Sequence, residues 1–342
     1  MHYIVRRKMI PIAVYLQNGQ NFYTYNESYT PCSVLLKNCL KYLKVPENMS
    51  HYFCLYEGVT KTTKYEERQL PDPLLVGDVL SSWEIMKKHY QDLIGTTRIY
   101  IGLKYFPLEI GPLLYPMVCS KFFDIYYSKL HLEKYELVKL WALGFQMFFG
   151  DFTERPGFLR DKARMFYHKN FHKFYNDESF IKDLKEKYQA LTGRTQESCA
   201  TELLQIDEMG GHLNGQVFKV MFRNSNNPNF RDMQEHIIMT VNSQCIALAE
   251  ESSRENILEI GLEEVANWGV NNDILVISYG DKYEITKMYY LSHAPTDIAE
   301  ALFNYTNQNN KEEPADFYAK NQQVHGFLQN SKTRKTNSFV LK

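Results

Sequence analysis

His168 and His172 stand four residues apart, a spacing that puts two imidazoles on one face of a helix, where they could share a metal ion. The metalloprotease form of that pair needs a glutamate directly after the first histidine, and Lys169, Asn170 and Phe171 fill the interval instead. Structural or solvent-facing histidines are therefore the expectation. Six cysteines (Cys32, Cys39, Cys54, Cys119, Cys199, Cys245) are scattered without a Cys-x-x-Cys pair, which argues against a zinc framework. Cys199 shares an apolar stripe with Leu203 and Ile206, where an inert buried thiol is expected. Gly144, Gly150 and Gly210-Gly211 form neither a dinucleotide fingerprint nor a P-loop. Glu66-Glu67 reads as a solvated turn. No nucleophile, base and oxyanion donors assemble, so the expectation is a protein that is not an enzyme and carries no metal or cofactor.

Two stretches suit recognition better than reaction. Residues 155–175 hold six Lys/Arg against one acid, interleaved with aromatics. Arg160, Arg164, His168, Lys169 and Lys173 could face an anionic lipid surface, at ~1 kcal/mol per basic residue near the membrane. The alternative is a solvated face with its aromatics turned inward. The second stretch is Val265, Ala266, Asn267, Trp268, Gly269 and Val270, followed by the turn residues Asn271, Asn272 and Asp273. Trp268 is either ordinary core or one wall of a groove that receives another chain. Downstream, Ile298, Ala301, Leu302 and Tyr305 share one helical face and could supply the opposite wall.

Three blocks must position these residues. The chain has 342 residues, long enough for two or three domains, and its 39 Lys/Arg against 40 Asp/Glu leave no global field for nucleic acid. Residues 9–104 open with a strand, an Asn18-Gly19 turn and a second strand, then a helix around 34–43 closed by Pro46, then strands near 52–57 and 98–103. Hairpin, helix and further strands follow a ubiquitin-like, β-grasp order. Residues 105–211 change to a helical period: 130–149 is apolar nearly all round, Phe180, Ile181, Leu184, Tyr188 and Leu191 form a one-sided stripe, and Asp177 starts that helix while Gly193 stands as its C′ residue. Residues 212–310 return to strands at 217–222, 236–241 and 245–249, then the Trp268 stretch, and close on a helix with Pro295 in its first turn. That pattern describes a PH/PTB-like barrel, open at one corner and plugged by the helix. Residues 311–342 are polar and basic, a tail expected to stay disordered until bound. No run reaches the ~18–20 apolar residues of a membrane span.

This order of lobes resembles a FERM domain. Arg98-Ile99-Tyr100-Ile101-Gly102-Leu103-Lys104-Tyr105-Phe106-Pro107 looks like the strand that ends the first FERM lobe. Leu140-Trp141-Ala142-Leu143-Gly144-Phe145-Gln146, running on to Gly150-Asp151-Phe152, is similar to the second-lobe signature, in a bundle that resembles acyl-CoA-binding proteins. Residues 257–268 with Asn272-Asp273 and Gly280-Asp281 look like the third-lobe segment of talin and of the tails of MyTH4-FERM myosins. The resemblance implies an α+β, three-lobed cytoplasmic adaptor at the cell cortex or inner membrane face. Its partners would be short segments of membrane-protein tails or cytoskeletal proteins, joined by strand addition along residues 265–270. Two alternatives stay open: a peripheral module for anionic phospholipid, or the cargo-binding tail fragment of a FERM myosin. Residues 212–310 carry six Lys/Arg against thirteen Asp/Glu, a balance that favours a basic peptide over a phosphoinositide.

Overall fold

The computed structural model describes residues 9–310, apart from 62–64, 91–93, 107–110, 128–131, 133, 156, 160–176, 206–214, 234, 254 and 282. The basic candidates Arg160, Arg164, His168, Lys169, His172 and Lys173, and the tail 311–342, lie outside the described residues. The fold is α+β with three lobes.

Lobe one is a five-stranded sheet in the order β2-β1-β5-β3-β4, with β1 (Ile10–Leu16), β2 (Asn21–Asn26), β3 (Phe53–Lys61), β4 (Tyr65–Gln69) and β5 (Ile94–Leu103). Its first hairpin turns at Gly19, whose φ of +83° is open to glycine and costly for other residues. β1 and β5 run parallel and the other pairs antiparallel. The inner face packs on α1 (Cys32–Tyr42), whose Leu35, Cys39 and Leu40 are buried, and a second helix, α2 (Val76–His89), follows β4. Glu66 and Glu67 do not form a turn, as expected above. Both lie on β4, opposite Val59 and Gly58, with Glu66 paired to Lys61 and Glu67 accepting from the Tyr65 hydroxyl (3.0 Å).

Lobe two contains α3 (Leu114–Tyr126), α4 (Lys134–Phe149), α5 (Glu178–Gln189) and α6 (Gln196–Leu204). α4 is buried nearly all round, as its apolar sequence requires. The Gln146 and Gly150-Asp151 positions form a polar clasp. Gln146 Nε2 donates to Asp151 Oδ1 (2.7 Å) and to the Arg194 carbonyl (3.0 Å), and the Gly193 N–H donates to the same Asp151 oxygen (2.7 Å). Those donors hold the Asp151 carboxyl below its ordinary pKa, the Gly193 amide first. Asp177 caps α5 by accepting from the Phe180 N–H (3.2 Å), and Thr195 caps α6.

Lobe three is a seven-stranded antiparallel sheet in the order β10-β11-β12-β6-β7-β8-β9. Its strands are β6 (Gln216–Ser225), β7 (His236–Val241), β8 (Cys245–Glu250), β9 (Asn256–Gly261), β10 (Val265–Asn271), β11 (Ile274–Gly280) and β12 (Ile285–Leu291). β9 and β10 follow one another in the chain yet end opposite borders of the sheet, so the barrel stays open between them. The helix α7 (Pro295–Asn310) fills the interior.

The apolar interior does not divide by lobe. One continuous cluster runs from Ile12 and Val14 of lobe one through Trp141 and Leu203 of lobe two to Val217 and Ile238 of lobe three, and a small one joins Cys54, Tyr56 and Tyr100 of lobe one to Phe123 of lobe two. A separate cluster fills the barrel around Ile237, Leu248, Ile277 and Tyr305. Polar bonds join the parts: the buried Lys121 of α3 donates to the Gly215 carbonyl, sits 3.6 Å from Asp124, and lies over the Phe106 ring at 4.4 Å.

Candidate functional site: the border strand of lobe three

β10 forms because Asn272 takes a left-handed conformation (φ +53°), which lets Asn272-Asp273 close a two-residue hairpin. The closing pair is Asn271 opposite Ile274, and the register continues to Gly269 opposite Val276 and Asn267 opposite Ser278. Bonded and non-bonded pairs alternate along an antiparallel ladder, starting from the closing pair. Asn271, Gly269 and Asn267 therefore direct their N–H and C=O groups at β11, and Trp268 and Val270 direct theirs at the other border. Among the described residues β11 is the one strand hydrogen-bonded to β10. A bulge at Ala266 interrupts the ladder between Val265 and Asn267.

Side chains follow the same parity. Trp268 stands opposite Ile277 and Val270 opposite Leu275, and both of those β11 residues are buried, so the indole and Val270 lie on the inner face. They are half-buried and pack at the margin of the barrel cluster, where Val265 joins them. Trp268 is thus neither sealed core nor an open wall. Ala266 and Asn267 are exposed, and a Cβ added at Gly269 would meet nothing within 4 Å, so the outer face there is open.

The helix face is different from the expectation. Ile298, Leu302 and Tyr305 are fully buried, each at 0% exposure, and with Ala301 they plug the barrel. They cannot supply an accessible wall. Their stripe is the one that seats the helix, and the flanks of α7 are rotated about a quarter-turn away. One flank, Asp297 and Glu300, faces lobe one. The opposite flank carries the half-buried Ala299 and Phe303, one turn apart, which sequence reasoning missed. The signal that could have found them is the stripe itself, since residues beside a buried helical stripe occupy its margins.

The electrostatic surroundings are acidic. Glu264 accepts from the Gly261 N–H (3.1 Å) just before β10. Asp281 accepts from the amides of Tyr283 (2.7 Å) and Glu284 (2.9 Å) beyond β11, which lower its pKa. Burial raises the Tyr279 phenol, Glu264 adds to that, and Thr286 opposes it. No Lys, Arg or His occurs within β10, β11 or α7. Among the described residues no group of three or more His, Cys, Asp or Glu could hold a metal ion, and no helix is long and apolar enough to cross a membrane. Cys199 is buried, and burial raises its thiol pKa.

Comparison with known proteins bears on the fold that carries this strand. The family model of the PTB domain (IRS-1 type) matches residues 220–309, which contain all of β10 and nearly all of α7. No curated protein matches the sequence. Among solved structures, a mutant of the MyTH4-FERM MF1 domain of Dictyostelium discoideum myosin VII is similar at TM-score 0.67 and 14% identity, covering 91% of this chain and 60% of that one. The C-terminal MyTH4-FERM domain of human myosin 7b, solved in complex with the harmonin-a PDZ3 domain, is similar at TM-score 0.58 and 12% identity, covering 88% and 60%. The FERM and C-terminal domain complex of Drosophila Merlin is similar at TM-score 0.59 and 13% identity, covering 92% and 98%. The chain thus has the FERM fold, and it spans about 60% of the myosin chains it matches.

Proposed function

We propose that this protein is a non-enzymatic FERM adaptor that binds extended segments of membrane-protein tails or cytoskeletal proteins by adding them as a strand to β10. The observation that carries the reading is the border itself. Val270 directs its backbone donor and acceptor to the side away from β11, and the half-buried indole of Trp268 provides apolar surface beside it. Main-chain bonds supply affinity in such an arrangement, and alternate side chains supply selectivity. The working groove lies between β10 and the Ala299–Phe303 flank of α7, with Val265, Ala266, Asn267 and Gly269 completing the strand. The site of action in this reading is the cytoplasmic face of the cell cortex. Likeness to the myosin VII MyTH4-FERM domains favours a second reading of the same surface, the cargo-binding part of a motor tail.

The test is an array of cytoplasmic-tail peptides probed with the full described chain, followed by hydrogen exchange on each binder. Strand addition protects the amide of Val270 while those of Asn267 and Gly269, already bonded to β11, change little. Binders that leave this alternation unchanged would sink the reading.

A further inference from the structure

Lobes one and three meet at Gln216 of β6, whose Nε2 donates to the Leu103 carbonyl (3.2 Å), and where the end of β4 touches the first turn of α7. The Gln69 N–H donates to Asp297 Oδ2 (2.7 Å), and Gln69 Nε2 donates to Glu300 Oε2 (2.7 Å). Lys104, just past β5, lies 3.3 Å from the other Glu300 oxygen. The seam therefore gathers carboxylates from both sides: Asp297 and Glu300 from α7, and Glu67 from β4. Arg68, also of β4, is near enough to act on Asp297 but is held by Glu57 of β3. Cys54 and Tyr56 of β3 are close enough for Asp297 to act on their titration, and burial keeps both neutral. His293, before α7, and Asp124 of α3 line the same cleft, with Glu66, Glu67 and Asp297. Negative charge prevails around a carboxyl that has given up most of its water.

We infer that this seam is a proton-sensitive hinge: uptake of a proton by Asp297 holds lobes one and three together, and its release lets them part. The inference is independent of strand addition at β10, although α7 serves both places. Asp297 is pushed up to about 7, first by burial and then by Glu67 and Glu300, while the Gln69 amide and Arg68 pull the other way. An Asp freed into water titrates near ~4. The closed seam thus binds a proton that the open one releases. Its stabilisation is complete below ~4 and is lost as the pH rises through about 7. Acidification from neutrality tightens the seam.

Hydrogen exchange at the Gln69 amide of the whole chain, corrected for the intrinsic pH dependence of exchange, reads this directly. Protection is expected to fall on the order of tenfold between about pH 5.5 and about pH 8.5. Asp297→Asn, which keeps an acceptor for that N–H but cannot ionise, should remove the dependence. Glu67→Gln, which preserves Asp297, should move the midpoint to lower pH and serves if the Asn variant does not fold. Carboxyl NMR of aspartate-labelled protein should show a resonance titrating near 7 that disappears in Asp297→Asn. A flat wild-type profile, a dependence that survives in the Asn variant, or an Asp297 resonance titrating in the ordinary carboxylate range would each overturn the hinge.

Discussion

β4 and β10 both end a sheet, and the chain treats them in opposite ways. β4 reads Tyr-Glu-Glu-Arg-Gln, three charges in five residues, and its last residue is covered by Asp297 and Glu300 of another lobe. β10 reads Val-Ala-Asn-Trp-Gly-Val-Asn, with no charge, and among the described residues β11 is the one strand paired with it. Charge and cover are the ordinary means of keeping a strand border from pairing with strangers. The difference teaches that exposure at β10 is not a general looseness of the fold, because the same molecule closes a comparable border elsewhere. It also singles out α7, whose first turn covers one border while its body stands beside the other.

That contrast can be broken most forcefully by unseating the helix. Leu302→Ala removes a fully buried side chain from the barrel and should cost about 2–5 kcal/mol in chemical denaturation. A loss well below that range would mean α7 is not the common support of the two borders. Trp268→Ala probes the β10 border alone. The indole is half-buried, so the cost should be roughly 1–2 kcal/mol, well under the ~3–5 of a fully buried aromatic, with peptide binding weakened more than stability. A melting temperature that collapses would return Trp268 to the core. The smallest effect belongs to Gly269→Thr. Its new Cβ meets open space, and a β-branched residue suits a strand, so stability should rise by about 0.5 kcal/mol. Destabilisation instead would show that the outer face of β10 is obstructed.

Much of this architecture was legible in the residues. Asn18-Gly19 announced a hairpin because a glycine there accepts positive φ, and the all-round apolar run ending at Phe149 announced a buried helix. Asp177 marked the start of α5 by capping chemistry that is local in sequence, whereas the helix stops at Gln189 with Ala190 as its cap, so Gly193, expected as its C′ residue, serves the turn beyond. β4 was not legible. Its charges resemble a solvated turn because what stabilises them, Lys61 from β3 and the Tyr65 hydroxyl, is visible after folding and not before. α2 was missed as well, since Asp78, Ser81, Ser82 and Glu84 dilute its apolar period. At the candidate site residues 265–270 do form a strand, but the helix residues do not form an accessible wall. An apolar stripe reports which face of a helix is buried, and Ile298, Leu302 and Tyr305 were buried too completely to meet a visitor.

The unbroken apolar cluster from Ile12 to Leu203 has a bearing on how this molecule tolerates change. Shape suggests three modules, yet cohesion ties the first two together. Val14 of β1 and Leu35 of α1 share one interior with Trp141 and Leu203, so the first two lobes must drift through sequence space as partners. The barrel keeps most of its interior to itself and is tied to theirs at Val217 and Ile238, so its far side is the part left at liberty to diversify.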